Sequence, residues 1–342
     1  MVDVVVLGLD ALDSQLFEKY LDEGILPTFE RYIDESRLTA KPIESFHTDN
    51  LSMPMTIQAW TCIYTGDGKD FHGAGEDEWR KSKVDFAANV PSTVFDDLSL
   101  AGLVTHSFRM PMTWPARDIN GWMISGFPSG QDEAVSSSEV WGIKPTRLPS
   151  DYGPVQDRWV SEHTEGIRPY LQAEDQKFEI CTDLVRETTD PDVLFWGTQL
   201  LDKIGHELTT WKEEQELDIA NHEHMRMAYT KIDELLQSCI EVYEPTYIIG
   251  VSDHGFDRTY GGHSMRATIL EWIEPAASAT PGEHFDDVTS IIDFRDYLAT
   301  RLGIEQQPES ARFDGTQDTV DDISDVERDH AREKLRDLGY IE

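Results

Sequence analysis

Short runs of consecutive apolar residues recur along the chain between stretches of helical periodicity. "VVVLGL" (4–9) precedes "SQLFEKYLDEG". "LVTHSF" (103–108), "VLFWGT" (193–198) and "YIIGVS" (247–252) follow, the last after a long helical stretch near 216–243. Strands that are apolar on both faces and separated by helices predict a mostly parallel sheet with helices on both faces, a doubly wound α/β fold. Between about 74 and 165 the pattern loosens into a Trp-, Pro- and Ser-rich region with Trp79, Trp114, Trp122, Trp141 and Trp159. That is too long for a loop without structure of its own and reads as a small cap insertion, although each tryptophan taken alone suits an ordinary core position. Residues 305–329 hold nine acids and two arginines with little apolar periodicity, and "AREKLRDLGYI" suggests a closing helix. The predicted plan is a main domain over 1–304, with cap elements within 74–165, and an acidic linker and C-terminal helix over 305–342.

Composition narrows the setting. With 342 residues, 39% of them hydrophobic, the chain can bury a large core. It carries 66 acidic against 29 basic residues, a formal net charge of −37, and only 11 of the basic residues are lysine. The acids are scattered among apolar positions, which argues for a folded protein and not a disordered one. A Lys-poor, acid-rich surface is that expected of a cytoplasmic protein of an extreme halophile, where molar salt screens self-repulsion. Nucleic acid duplexes and anionic membranes are excluded as partners on the same ground. Cys62, Cys181 and Cys239 have no zinc-finger spacing and no disulfide pattern, in keeping with a reducing cytoplasm. The opening "MVDVVVLGLDALD" is too short in its apolar part for a signal peptide or a membrane span.

Ligands of open α/β sheets bind outside the carboxyl ends of the strands, so the residues just after each apolar run carry the chemistry. Asp10 follows the first run, Asp253 and His254 follow "YIIGVS", and Asp202 stands shortly past "VLFWGT". His206 comes four residues after Asp202, one helical turn, and His263 lies in "YGGHS", where glycines let the backbone approach closely. Any one of these fits a turn or a cap. Together they form a set of three Asp and three His suited to Zn²⁺, with Mn²⁺ or Fe as alternatives because no thiolate takes part. Two such ions serve an in-line displacement at phosphorus, which also needs a nucleophile. Thr56, after Pro54 at an apparent helix start, is that candidate; the alternative is a plain helix N-cap. Arg80, Lys81 and Arg109 are candidate contacts for a substrate anion, or salt-bridge partners.

With these segments in place the chain resembles the alkaline phosphatase superfamily, in its type I phosphodiesterase/nucleotide pyrophosphatase branch. "LGLDALD" is similar to that branch's first metal-Asp motif. "MTIQAWTCIYTGDGKDFHG" is similar to its nucleophile segment, with Thr56 nine residues before Thr65 of a Thr-Gly pair. "FRMPMTWPARDINGWMISGF", "TQLLDKIGH", "VSDHGF" and "LRDLGYI" extend the likeness to the C-terminus. The resemblance implies one metal on Asp10, Thr56, Asp253 and His254 and a second on Asp202, His206 and His263. It implies a phosphodiesterase acting on a small phosphoester through a covalent phosphothreonine. A phosphomonoesterase, or a transferase or mutase with the same metals, is the alternative; a non-catalytic relative would be expected to lack a ligand. Two departures stand out. "AGEDEWRKSK" holds no Asn where the pyrophosphatases use one on phosphate, and the sulfatase signature is absent around Cys62.

Overall fold

A computed structural model describes residues 2–46, 53–68, 90–114, 116–127, 166–210, 218–256, 262–275, 277 and 284–308. Its centre is a seven-stranded sheet in the order β2-β9-β6-β1-β5-β3-β4. The strands are β1 (Val4–Leu9), β2 (Leu38–Glu44), β3 (Thr105–Phe108), β4 (Gly121–Ile124), β5 (Val193–Thr198), β6 (Tyr247–Val251) and β9 (Arg266–Ile273). A separate two-residue hairpin pairs β7 (Gly255–Phe256) with β8 (His263–Ser264). β1 runs parallel to both β5 and β6, and β5, β3 and β4 continue the parallel set. In this sheet β9 runs against the other strands, pairing antiparallel with β6 on one side and with β2 on the other.

Every residue of β1 and β5 is buried, which is why each reads as an unbroken apolar run. Their side chains alternate between two cores. Val5, Leu7, Leu9, Leu194 and Trp196 enter the core on one face, which is packed by α1 (Ser14–Asp22), α2 (Pro27–Asp34), α5 (Arg168–Glu187), α6 (Leu200–Thr210) and α7 (Glu223–Tyr243). Val4, Val6, Val193 and Phe195 enter the other, under α3 (Thr56–Thr65), α4 (Val94–Leu100) and α8 (Phe294–Leu302). The doubly wound sheet expected from the sequence is therefore observed.

Three elements of the sheet depart from the apolar pattern. β2 contains Lys41 and Pro42 and lies at the sheet edge, where a missing N–H disrupts no second ladder. β9 buries Glu271 against Arg301 Nε at 2.7 Å. β4 has only four residues; its Trp122 is fully buried and stacks on His106 with ring centroids 4.5 Å apart. Within the span read as carrying a cap, residues 90–114 and 116–127 build α4, β3 and β4, and Trp114 and Trp122 are core residues. Trp79, Trp141 and Trp159, the remainder of that span and the C-terminal helix lie outside the described residues. The start of the acidic linker is tied down: Gln307 N donates to Asp97 Oδ1 at 2.8 Å, and Gln307 O accepts from Arg295. Among the described residues no helix is long and apolar enough to cross a membrane.

Candidate metal centre

β6, β1 and β5 are adjacent at the middle of the sheet, so their carboxyl ends bring distant parts of the chain to one place. Asp10 follows β1, and Asp253 and His254 follow β6; all three are buried. Asp202 lies in the first turn of α6, just after β5, with His206 one turn later. The expected single face is observed, His206 Nε2 lying 3.3 Å from Asp202 Oδ1. His263 is the first residue of β8, and its Nε2 is 3.3 Å from Asp202 Oδ1 and 3.0 Å from His206 Nε2. Its ring stacks on that of His254 at 3.7 Å and 15°.

Thr56 opens α3 and is fully buried. The N-cap is Met55, with no side-chain cap bond, so the N-cap alternative for Thr56 does not hold. Its Oγ1 instead lies 3.0 Å from His254 Nε2, which is 3.2 Å from Asp253 Oδ2 and 3.5 Å from Asp10 Oδ1. The ligand atoms of Asp10, Asp253 and His254 all fall within 4.8 Å of one another, and so do those of Asp202, His254 and His263. His254 thus belongs to both groups, whereas the sequence places it in one and gives the second to His206.

The donor chemistry fits cations. A carbonyl can only accept, so His254 Nδ1 donates to Gly255 O at 3.0 Å and His263 Nδ1 donates to Pro54 O at 2.9 Å. With Nδ1 donating, the neutral form of the His254 ring turns an accepting Nε2 toward the cluster, as metal-ligating imidazoles do. Asp10 Oδ1 and Asp253 Oδ2 are buried and accept no hydrogen bond. Converging lone pairs and buried carboxylate oxygens repel one another unless positive charge lies between them.

Titration reflects this. Burial, then the charge of Asp253 and of Asp202, raises the Asp10 carboxyl well above its usual range. Burial likewise raises Asp253. Burial works against Asp202 too, but the charge of His206 and hydrogen bonds with His206 and His263 hold it well below that range. For His206, burial is outweighed by Asp202 and the imidazole is raised. His254 is held well below the ordinary imidazole range by burial and by His263.

The sequence did not single out Gln199, whose Nε2 donates to Asp10 Oδ2 at 3.2 Å, or Asp13, treated below. Gln199 directly follows β5, the position that the strand-end rule would have flagged. Arg109 follows β3 at the same sheet edge and is buried, with φ 56; its N–H donates to Ile124 O. Arg80 and Lys81 lie outside the described residues.

Residues 4–281 match the family described as Type I phosphodiesterase / nucleotide pyrophosphatase. No curated protein matches the chain in sequence. Among solved structures, the C-terminal periplasmic domain of EcEptC from Escherichia coli is similar with a TM-score of 0.52 at 12% identity, over 92% of this chain and 87% of that one. Alkaline phosphatase from the Antarctic bacterium TAB5 gives 0.50 at 10%, over 89% and 99%. A 2-O GAG sulfatase gives 0.52 at 10%, over 91% and 72%. At such identities the likeness is one of fold. The chain belongs to the type I phosphodiesterase/nucleotide pyrophosphatase family and is a hydrolase acting on phosphoester bonds.

Proposed function

We propose that the protein is a two-metal phosphodiesterase in which Thr56 attacks phosphorus. The observation that carries this reading is the Thr56 hydroxyl: Thr56 opens a buried helix without capping it, and its Oγ1 lies 3.0 Å from His254 Nε2 at the junction of the two ligand groups. Asp10, Asp253, His254 and Thr56 would hold one divalent ion, and Asp202, His206 and His263 the other, with His254 facing both. When bound, these ions, Zn²⁺ foremost and Mn²⁺ or Fe as alternatives, lower the pKa of a hydroxyl and offset charge on phosphoryl oxygens.

The protein's own groups supply the rest. Thr56 Oγ1 gives up its proton and forms a bond to phosphorus in line as one ester oxygen leaves with the electron pair of the breaking bond and takes up a proton, giving an alcohol and a phosphothreonine that keeps the substrate's second ester group. Water then attacks the same phosphorus, the P–Oγ1 bond breaks, and Thr56 regains a proton. The opening turn of α3 has no intrahelical acceptors for its first N–H groups; the first such bond is Ala59 N to Met55 O at 2.9 Å. Those N–H groups and the positive end of the helix suit a phosphoryl oxygen beside Thr56. Gln199 keeps Asp10 oriented.

The diester preference follows the family. It is tested by comparing kcat/KM for bis-(p-nitrophenyl) phosphate, p-nitrophenyl phosphate and p-nitrophenyl sulfate in molar KCl with Zn²⁺ or Mn²⁺ added. The expected order is diester, monoester, sulfate. A monoester preference above about tenfold, near 1.4 kcal/mol of transition-state stabilisation, would make the enzyme a phosphatase instead. Transfer of phosphorus to an added alcohol in place of water would make it a transferase.

A further inference from the structure

Asp13 stands three residues after Asp10, at the turn between β1 and α1, and is fully buried. Its two carboxylate oxygens do different things. Oδ1 caps α1, accepting from Gln15 N and Leu16 N, each at 3.0 Å. Oδ2 reaches out of its own segment and accepts from Phe256 N at 3.2 Å, Ser264 Oγ at 3.2 Å and Arg266 Nε at 3.0 Å. Phe256 is on β7, Ser264 on β8, and Arg266 opens β9. Arg266 closes the ring by donating from Nη2 to Phe256 O at 2.9 Å.

These three partners flank the imidazoles of the metal centre. His254 lies two residues before Phe256, and His263 immediately before Ser264. The β7–β8 pair is only two residues per strand, too short to be stable by its own ladder. It packs against Asp13 so closely that a Cβ on Gly255 would lie 2.3 Å from Asp13 Oδ2. Phe256 in turn packs edge-on to His206 and to His263, with centroids 5.3 and 5.8 Å apart. One turn of chain therefore carries a candidate ligand at Asp10 and, at Asp13, the clamp on the hairpin that delivers His254 and His263.

We propose that Asp13 is a positioning residue for the metal centre. Through Oδ2 it fixes the β7–β8 hairpin, and so holds His263 against Asp202 and His206, which arrive separately on α6. The proposal rests on the two-metal reading above. The ion held by Asp202, His206 and His263 depends on the clamp more than the ion at Asp10 and Asp253, whose carboxylates sit directly after central strands.

Zn²⁺ titration of the metal-free full-length chain by isothermal calorimetry, with elemental analysis after dialysis, tests this. Three variants separate the clamp from the cap: Asp13→Ser keeps a capping hydroxyl for α1 without the second oxygen, and Ser264→Ala and Arg266→Gln leave α1 untouched. Asp233→Asn is the control, because Asp233 caps α2 from α7 through Thr28 N and Phe29 N and touches neither hairpin nor ligands. The expected result is two sites in the wild type. In Arg266→Gln and Asp13→Ser one of the two sites loses about 10- to 100-fold in affinity, while the other is retained. Asp233→Asn lowers the thermal midpoint but leaves both affinities in place. Arg266→Lys, which restores a donor to Oδ2, recovers part of the loss. Unchanged affinities in Asp13→Ser and Arg266→Gln would overturn the positioning role while leaving the two-metal reading intact. A wild type that binds no Zn²⁺ would overturn both.

Discussion

Three threonines lie on α3, and their hydroxyls separate by partner. Thr61 Oγ1 donates to Ile57 O at 2.9 Å and Thr65 Oγ1 to Thr61 O at 2.8 Å, each one turn back in the same helix. Thr56 has no preceding turn to bond, and its hydroxyl faces His254. Thr56→Ala is accordingly expected to lower kcat by at least about a thousandfold, and Thr61→Ala and Thr65→Ala by less than about tenfold. Steady-state rates with bis-(p-nitrophenyl) phosphate decide it, and a Thr56→Ala enzyme that keeps a tenth of the wild-type rate has another nucleophile. The carboxyls make a second prediction at this scale. In the metal-free protein Asp10 and Asp253 are raised, so they keep protons at a pH where an ordinary carboxyl has lost its own. Their contribution to folded stability is present below the ordinary carboxyl range and is lost as pH rises through the raised values. A bound ion needs both groups ionised and removes that loss, so metal binding releases protons and tightens from acidic toward neutral pH. Calorimetry in two buffers of different protonation enthalpy should register release; proton uptake would contradict it.

Among the elements, α3 is buried along its whole length, and Arg295 of α8 anchors its far end. The Arg295 guanidinium binds Asp97 through Nε at 2.6 Å and Nη2 at 2.7 Å, and also donates to Thr65 O and Ser92 O. α3 ends at Gly66 with φ 66, where a Cβ would meet Arg295 Cβ at 3.3 Å. Arg295→Ala leaves Asp97 as an uncompensated buried charge, and urea unfolding in molar KCl should find about 3–5 kcal/mol less stability. A loss under about 1 kcal/mol would mean that the pair is not buried in solution. The elements also mark where the sequence was readable. β1, β5 and β6 are apolar on both faces and were located to within a residue. β2, β4 and β9 were not anticipated, because Pro42 and Lys41 suit an edge, Glu271 is neutralised by Arg301, and "GWMI" is too short for a period. At Asp13 the capping half is local and legible, whereas the clamp on β7 and β8 is a contact across more than two hundred residues.

At the scale of the whole molecule, Asp10, Thr56, Asp202, His206, Asp253, His254 and His263 meet because β6, β1 and β5 are neighbours in the sheet. Fold class and the strand-end rule together made that meeting foreseeable. The sharing of His254 between two ligand groups was not, since it depends on the stacking of two rings. The net charge of −37 gives a further expectation: the thermal midpoint and activity rise between 0.1 M and 3 M KCl, as the Debye length falls from about 10 Å at 0.1 M to about 3 Å at 1 M. A midpoint unchanged over that range would remove the halophilic reading. The claim on which the rest depends is that phosphorus passes through Thr56. An acid quench of the metal-loaded enzyme during turnover of bis-(p-nitrophenyl) phosphate, followed by peptide mass spectrometry, measures it directly. The account predicts a phosphoryl adduct on Thr56 that is absent from Thr56→Ala; a pre-steady-state burst of p-nitrophenol with Thr56 unmodified, or an adduct on another residue, would contradict it.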